Sequence, residues 1–412
     1  MTFHAPRLSR RALAMPASPI RRLAPHAVAA RAAGKTLYEL NIGQPDIATP
    51  REILDRLHAY DARNIPYGPS QGLPEFIEAL RVYYERVGLR ASPEEIFVTT
   101  GGSEAILFVL GAIADPGDEV LLFEPFYTNY NGFATMMGVV PVAVTTRAED
   151  GYHLPPRAAI EARITPRTRA ILICSPNNPT GTVYRDEEME LLGDVCRERG
   201  LYLVSDEVYR EFAYDGRKQR SALTLAGLDR QVVMVDSLSK RVSLCGVRIG
   251  NIVTRNRELL EHVLKFGQAR LCPPTLGQVA AAALSRVPPS YIEGVIAEYQ
   301  KRRDVVYEAI SGIEGVTLRK PEGAFYLCAK LPVDDAERFA VFLLRDFDLD
   351  GETVMVAPAD GFYVTPGLGR DEVRIAYVLE EAKLRRAMRI LAAGLRAYSR
   401  RTMGATSARE PG

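Results

Sequence analysis

Val232-Val233-Met234-Val235-Asp236-Ser237-Leu238-Ser239-Lys240 reads as a buried strand that runs out into a polar turn. Residues 232–235 are apolar, mostly β-branched and too few for a helix, as in a strand buried in a sheet. The turn sets Lys240 at the strand's carboxyl end, where α/β sheets gather their ligands. A lysine made neutral by its surroundings can form a Schiff base with an aldehyde. Ser237 and Ser239 add hydroxyls. Gly246-Val247-Arg248-Ile249-Gly250, just beyond, adds a fixed cation of the kind an anionic group needs. A strand-end lysine is also commonly a solvated surface charge, so the rest of the chain decides between the two.

Upstream the same pattern repeats. Residues 201–204 form a strand that exits into Ser205-Asp206-Glu207-Val208-Tyr209, where Asp206 is either a helix cap or the partner of a cation. Residues 170–174 exit into Ser175-Pro176-Asn177-Asn178-Pro179-Thr180-Gly181, a rigid turn that fixes two amide side chains. Residues 119–123 exit into an aromatic run, 125–130, that serves as core or as a stacking platform. Residues 95–100 lead to Gly101-Gly102-Ser103-Glu104, the start of a helix with Ile106, Leu107, Leu110 and Ile113 in helical spacing. A glycine pair there exposes free N–H groups at the positive end of the helix dipole, a natural phosphate seat. Strands alternating with helices, each with a polar exit at its carboxyl end, predict a largely parallel sheet with one shared crevice.

The flanks differ. The first 38 residues hold no acidic residue and several arginines, among them Arg21 and Arg22, with Pro16, Pro19 and Pro25 interrupting any amphipathic helix. They read as an arm lying on the fold or on a partner subunit. Residues 37–42 form a short strand followed by a turn at 43–46. Residues 65–74 (IPYGPSQGLP) form a loop, either a linker or an ordered display of Tyr67. Past Arg248 the rhythm stops. Pro288-Pro289 opens a second lobe with a long helix at 290–310 and strands at 323–330, 353–357 and 372–378. In the last, Val373, Ile375 and Tyr377 share one face and turn Arg374 to the other, where a half-buried arginine needs an anion. Leu384, Met388, Leu391 and Leu395 stripe a closing helix, and the tail from 399 reads as disordered.

Composition sets the bounds. With 412 residues the chain has room for a large domain and a smaller one; 47% hydrophobic and 25% charged content describe a soluble globular protein. A net charge of +1 gives no reason to expect nucleic acid, and no apolar run is long enough for a membrane span. The five cysteines are scattered and odd in number, as in a cytoplasmic protein, and the five histidines do not cluster, so no metal is expected.

Taken in order, IGQPD from Ile42, YGPSQG from Tyr67, TGGSEA from Thr100, SPNNPTG from Ser175, SDEVY from Ser205, SLSK from Ser237, GVRIG from Gly246 and VRIAY from Val373 resemble the class I aminotransferases, pyridoxal-phosphate enzymes of fold type I. The resemblance spans about 17–397. It implies an arm and the start of a small domain at 1–45, a large cofactor-binding domain at 46–288 with a mostly parallel central sheet, and the rest of a small α+β domain at 289–398. It further implies that Lys240 binds pyridoxal 5′-phosphate covalently and moves the substrate proton, and that Asp206 pairs with the ring nitrogen. Asn178 and Tyr209 would contact the ring's 3′ oxygen, and Tyr127 would stack on the ring. Gly102, Ser103, Ser237 and Arg248 would cup the phosphate. Tyr67 would reach the phosphate of a neighbouring subunit, making a homodimer with shared sites. Arg374, with Gly43 and Asn178 beside it, would hold the substrate α-carboxylate.

The implied reaction moves an amino group from an L-amino acid to a 2-oxo acid, 2-oxoglutarate in the first instance, by a ping-pong mechanism. Other fold type I enzymes, such as C–S lyases and decarboxylases, share Lys240, Asp206 and Arg248. A regulator on this fold would need a DNA-binding domain ahead of the arm, for which the stretch before Leu37 is too short. Ser103 stands where bacterial aspartate enzymes often carry a lysine. Arg270 is then the nearby candidate for a distal carboxylate, unless a polar rim of Ser103 and the arm near Ile20 does that work. The expectation is a relaxed enzyme taking glutamate, aspartate and also aromatic or aliphatic donors.

Overall fold

The structure, a computed structural model, describes residues 6–407. Its strands in chain order are β1 (Thr36–Glu39), β2 (Ile96–Thr99), β3 (Glu119–Glu124), β4 (Val140–Thr145), β5 (Thr168–Cys174), β6 (Tyr202–Asp206), β7 (Val232–Ser237), β8 (Gly250–Val253), β9 (Tyr326–Lys330), β10 (Glu352–Met355), β11 (Ala357–Pro358) and β12 (Glu372–Ala376). One seven-stranded sheet has the order β2-β8-β7-β6-β5-β3-β4. From β4 to β7 every neighbouring pair is parallel, and β8 lies antiparallel between β2 and β7. This is the mostly parallel α/β sheet that the alternating strands and helices predict.

Both faces of this sheet are covered, which is why its strands read as unbroken apolar runs. In β5, Ala170, Leu172 and Cys174 enter one core cluster, while Ile171 and Ile173 enter the other. The helix Gly101–Ile113 packs Ala105, Ile106, Val109 and Leu110 into the first cluster. The helix Asp186–Arg199 packs Met189, Leu192, Val195 and Cys196 into the second. The parallel strands β5, β6 and β7 therefore finish side by side, with Cys174 opposite Asp206 and Asp206 opposite Val235.

Two strands of the sheet were not expected. Pro141 argues against an interior strand, and β4 is the sheet edge, where a missing N–H does no harm. β8 is four residues long and contains Asn251, so its pattern is too short to read. β8 matters because it returns the chain across β7 and brings Arg248 back beside Ser237, whose register partner is Gly250.

A second, antiparallel sheet has the order β11-β12-β9, and β1 pairs in parallel with β10. The N-terminal segment thus joins elements from the last third of the chain. β1 ends at Glu39 rather than at Ile42. Leu40 bridges instead, donating to the Met355 carbonyl at 2.8 Å and accepting from the Ala376 N–H at 2.7 Å. Residues 41–46 then run on without the expected turn toward the carboxyl ends of the large sheet. In the arm, Leu23, Ala27 and Ala30 are buried, and Arg22 pairs with Glu337 at 3.0 Å and Asp360 at 2.6 Å. The closing helix runs Glu381–Ser407, so 399–407 is helical where the composition suggested disorder. The rest of that tail, 408–412, and the first five residues of the arm lie outside the described residues.

Candidate active site

A cavity of about 420 Å³ opens at the carboxyl ends of β5, β6 and β7. Lys240, Asp206, Tyr209, Asn178, Tyr127, Gly102, Ser103, Ser237, Arg248, Gly43 and Arg374 all line it. Residues more than 300 positions apart in the sequence meet there. Tyr67 does not: it is 81% exposed and outside this chain's cavity.

The Lys240 Nζ donates to the Gly43 carbonyl at 2.7 Å and lies 5.8 Å from the centre of the Phe325 ring. Burial pushes its pKa below the usual lysine value; Arg374 and Arg248 push the same way, against Cys245 and Asp206. The next residue anchors the turn. Arg241 is 1% exposed and pairs with Asp236 and, at 3.2 Å, with Glu211, while the Tyr84 hydroxyl donates to Asp236 at 2.9 Å. Removing one partner from such a buried set costs about 3–5 kcal/mol, so the turn beneath Lys240 is held rigidly. Gly43 has no room for a side chain, since a Cβ there would lie 1.8 Å from the Tyr326 hydroxyl.

Asp206 ends β6 with two donors, the Tyr130 hydroxyl at 2.7 Å and the Val208 N–H at 3.3 Å. Burial nevertheless pushes its carboxyl up to about 6. Such a carboxylate is short of a cation, and the cavity face is where one would fit. The Tyr209 hydroxyl shares a 2.9 Å hydrogen bond with that of Tyr326. The Tyr127 hydroxyl accepts from Asn129 Nδ2 at 2.8 Å, and its ring meets Tyr130 edge-on at 5.5 Å.

At the other end of the cavity the helix Gly101–Ile113 presents its first N–H groups. Gly101 has φ +72°, and a Cβ there would lie 2.5 Å from Arg248 Nη2, so the guanidinium sits directly against the helix start. Arg248 itself has φ 60° and donates from Nη1 to the Cys245 carbonyl at 2.9 Å. The Ser237 and Ser239 hydroxyls are 2.8 Å apart. Helix N–H groups, a guanidinium and hydroxyls together form a cradle for a phosphate dianion.

Arg374 is 1% exposed on β12. Its guanidinium lies 4.5 Å from the centre of the Tyr326 ring and 5.1 Å from that of Phe362. Nη1 donates to Asn178 Oδ1 at 3.0 Å, Nη2 donates to the Asn41 carbonyl, and Nε has no partner among the described residues. A buried cation held only by neutral groups, and lining a cavity, is a seat for an anion.

Arg270 lies elsewhere. It pairs with Glu104 at 3.5 Å, donates to the Ser70 and Val98 carbonyls at 3.4 Å and packs on Phe108, outside the cavity of this chain. Glu104 meets its Nη2, while Nε and Nη1 have no partner among the described residues, and Arg270 does not line the cavity of its own chain. Tyr130, Tyr326 and Arg21 are among the cavity residues that the sequence does not point to. Tyr130 was within the aromatic run, but nothing local separates a core ring from one that holds Asp206, 76 residues away.

An amine of lowered pKa, a buried carboxylate, a cradle suited to phosphate and a buried arginine without an acidic partner, on the crevice of a parallel sheet, fit a pyridoxal-phosphate enzyme of fold type I. A family model described as aminotransferase class I and II matches residues 35–391. The chain is 32% identical to the aspartate aminotransferase of Geobacillus stearothermophilus, over 84% of this chain and 88% of that protein. It is also 32% identical to the aspartate/prephenate aminotransferase of Thermus thermophilus, over 92% and 97% of the two. The solved Thermus thermophilus aspartate aminotransferase with maleate matches with a TM-score of 0.85 at 32% identity, covering 95% of this chain and 100% of that one. The chain belongs to the class I and II aminotransferases: it is a pyridoxal-phosphate-dependent transaminase of the aspartate aminotransferase-like kind.

Proposed function

We propose that this transaminase takes the amino group from glutamate, aspartate and a range of apolar amino acids, with 2-oxoglutarate as acceptor, and that the cavity residues divide the work as follows. Arg248, Ser237, Gly102 and Ser103 would hold the cofactor phosphate, Asp206 would serve its ring nitrogen, Tyr209 and Asn178 its 3′ oxygen, and Tyr127 would pack against its ring. Bound there, the cofactor supplies a carbonyl for the substrate amine and a sink for the electron pair left at the α-carbon. Lys240, whose pKa burial lowers, would hold the cofactor by its Nζ, and its amine would serve to move the proton of the substrate α-carbon. Asp206, held by Tyr130 and the Val208 N–H, would favour a proton on the ring nitrogen. Arg374 binds the α-carboxylate with two N–H groups, Asn178 fixing its fork and Tyr326 and Phe362 keeping water from its faces.

The observation that carries this reading is one cavity that joins Lys240, Asp206 and a buried Arg374 with a free Nε. Ile20, Ile42, Ile106 and Phe133 line the same cavity, so an apolar side chain also finds contact there, which supports the wide donor range. The relatives' names pair aspartate with prephenate, which supports a substrate with a second acidic group. We further propose a cytoplasmic homodimer in which Tyr67 completes the partner's phosphate cradle. The test is an assay of holoenzyme with glutamate, aspartate, phenylalanine or alanine against a 2-oxo acid. One new amino acid per 2-oxo acid formed is expected; release of ammonia or hydrogen sulfide in place of that exchange would mark a lyase instead.

A further inference from the structure

Four cations line the cavity: Lys240, Arg248, Arg374 and Arg21. The first three have work in the reading above, and this inference rests on that reading. Arg21 has none. Among the described residues no carboxylate of this chain lies within ion-pair distance of it, and Asp206 is the one carboxylate that lines the cavity. We infer that Arg21 is the specificity-determining cation that receives the distal acidic group of dicarboxylic substrates.

The arm is built to hold this residue in place. Pro19–Leu23 form a turn in which the Arg21 and Arg22 N–H groups both donate to the Ser18 carbonyl at 3.1 Å. On one side of Arg21, Pro19 is buried against Gly361, where a Cβ would lie 2.4 Å from the proline ring. On the other, Arg22 is pinned by Asp360 and Glu337, and Leu23 is buried. Asn41 ties the arm to the α-carboxylate seat: its Nδ2 donates to the Ile20 carbonyl at 3.3 Å, while its own carbonyl accepts from Arg374. Asn41 thus links the arm beside Arg21 to Arg374, and Ile20 and Ile42 line the same cavity.

This arrangement accounts for Ser103 and for Arg270. No cation is needed at position 103 if one enters from the arm, and Arg270 does not line the cavity of its own chain. Arg21 is exposed in the free chain, so it remains hydrated until a substrate displaces the water. An apolar side chain leaves it in solvent at no cost, whereas a carboxylate pairs with it. Both substrate classes are then accepted without a buried, unpaired charge in either.

The test compares two four-carbon acids by calorimetry on the holoenzyme: maleate, with two carboxylates, and crotonate, with one. Wild type should bind maleate more tightly. Arg21→Ala should lose about tenfold of maleate affinity and change crotonate by less than about twofold, and Arg21→Lys should recover part of the loss, as expected for an exposed pair that becomes dry only on binding. Unchanged maleate binding in Arg21→Ala, or equal losses for both acids, would overturn the assignment. Amino-group exchange by wild type separates this from the reading beneath it. If exchange occurs and maleate binding ignores Arg21, only the present inference fails; if no exchange occurs with any donor, the transaminase reading fails with it.

Discussion

Asp206 shows how a single side chain prepares for a group it does not yet touch. With the donors Tyr130 and Val208 N–H in place, burial still lifts its carboxyl to about 6. A carboxyl whose folded pKa exceeds its unfolded one favours the folded state below the unfolded value and loses that advantage as pH rises through the folded one. Between pH 4 and 7, cofactor-free protein should therefore lose about 3 kcal/mol from this group, following from a shift of about two pH units. Asp206→Asn should remove that part of the slope, and so should bound cofactor, whose protonated ring nitrogen supplies the missing cation. Thermal unfolding of apo wild type, apo variant and holoenzyme across this range checks it; parallel slopes for the two apo proteins would contradict it. In the assay Asp206→Asn should keep the cofactor and lose about 10²-fold or more in rate, because the ring nitrogen loses its proton. At this scale the sequence was readable wherever a residue acts at the end of its own strand, as do Asp206, Ser237 and Lys240. It was not readable for Tyr130, Tyr326 and Arg21, whose contacts are set by packing between distant segments.

Elements carry the geometry. The strands β5, β6 and β7 were legible because burial on both faces leaves continuous apolar runs with polar exits. β4 and β8 were not, since Pro141 and the brevity of β8 erase the period that identifies a strand. By sequence alone the loop containing Tyr67 fits a linker and a display of its ring equally well. Its tyrosine is 81% exposed with no hydrogen bond among the described residues, yet Thr275 holds the neighbouring Pro66 carbonyl at 3.4 Å and Gln278 holds the Leu73 N–H at 2.7 Å. A loop anchored at both ends that leaves a large ring in solvent is a contact in waiting. In a dimer, the site of a Tyr67→Phe chain would take its own Lys240 and the tyrosine of its partner. Refolding Lys240→Ala together with Tyr67→Phe should then restore one complete site per heterodimer, giving more activity than the two separate variants combined. A mixture no more active than its parts, or a fully active monomer in sedimentation, would dismiss the shared site.

Across the whole molecule, the parallel sheet gathers its exits in one crevice, and the chain's two ends close over it. β1 pairs with β10 across more than 300 residues, and this long-range pairing helps bring Gly43 and Arg374 to the cavity from opposite ends of the sequence. The cavity residues converge on the Lys240 amine, whose pKa burial lowers. The most direct measurement is borohydride reduction of the purified holoenzyme, followed by peptide mass spectrometry, with and without prior incubation with glutamate. The account predicts a single pyridoxyl label, on Lys240, that largely disappears when glutamate is added first because the amino group has moved to the cofactor. A label on another lysine, or one that glutamate leaves untouched, would contradict it.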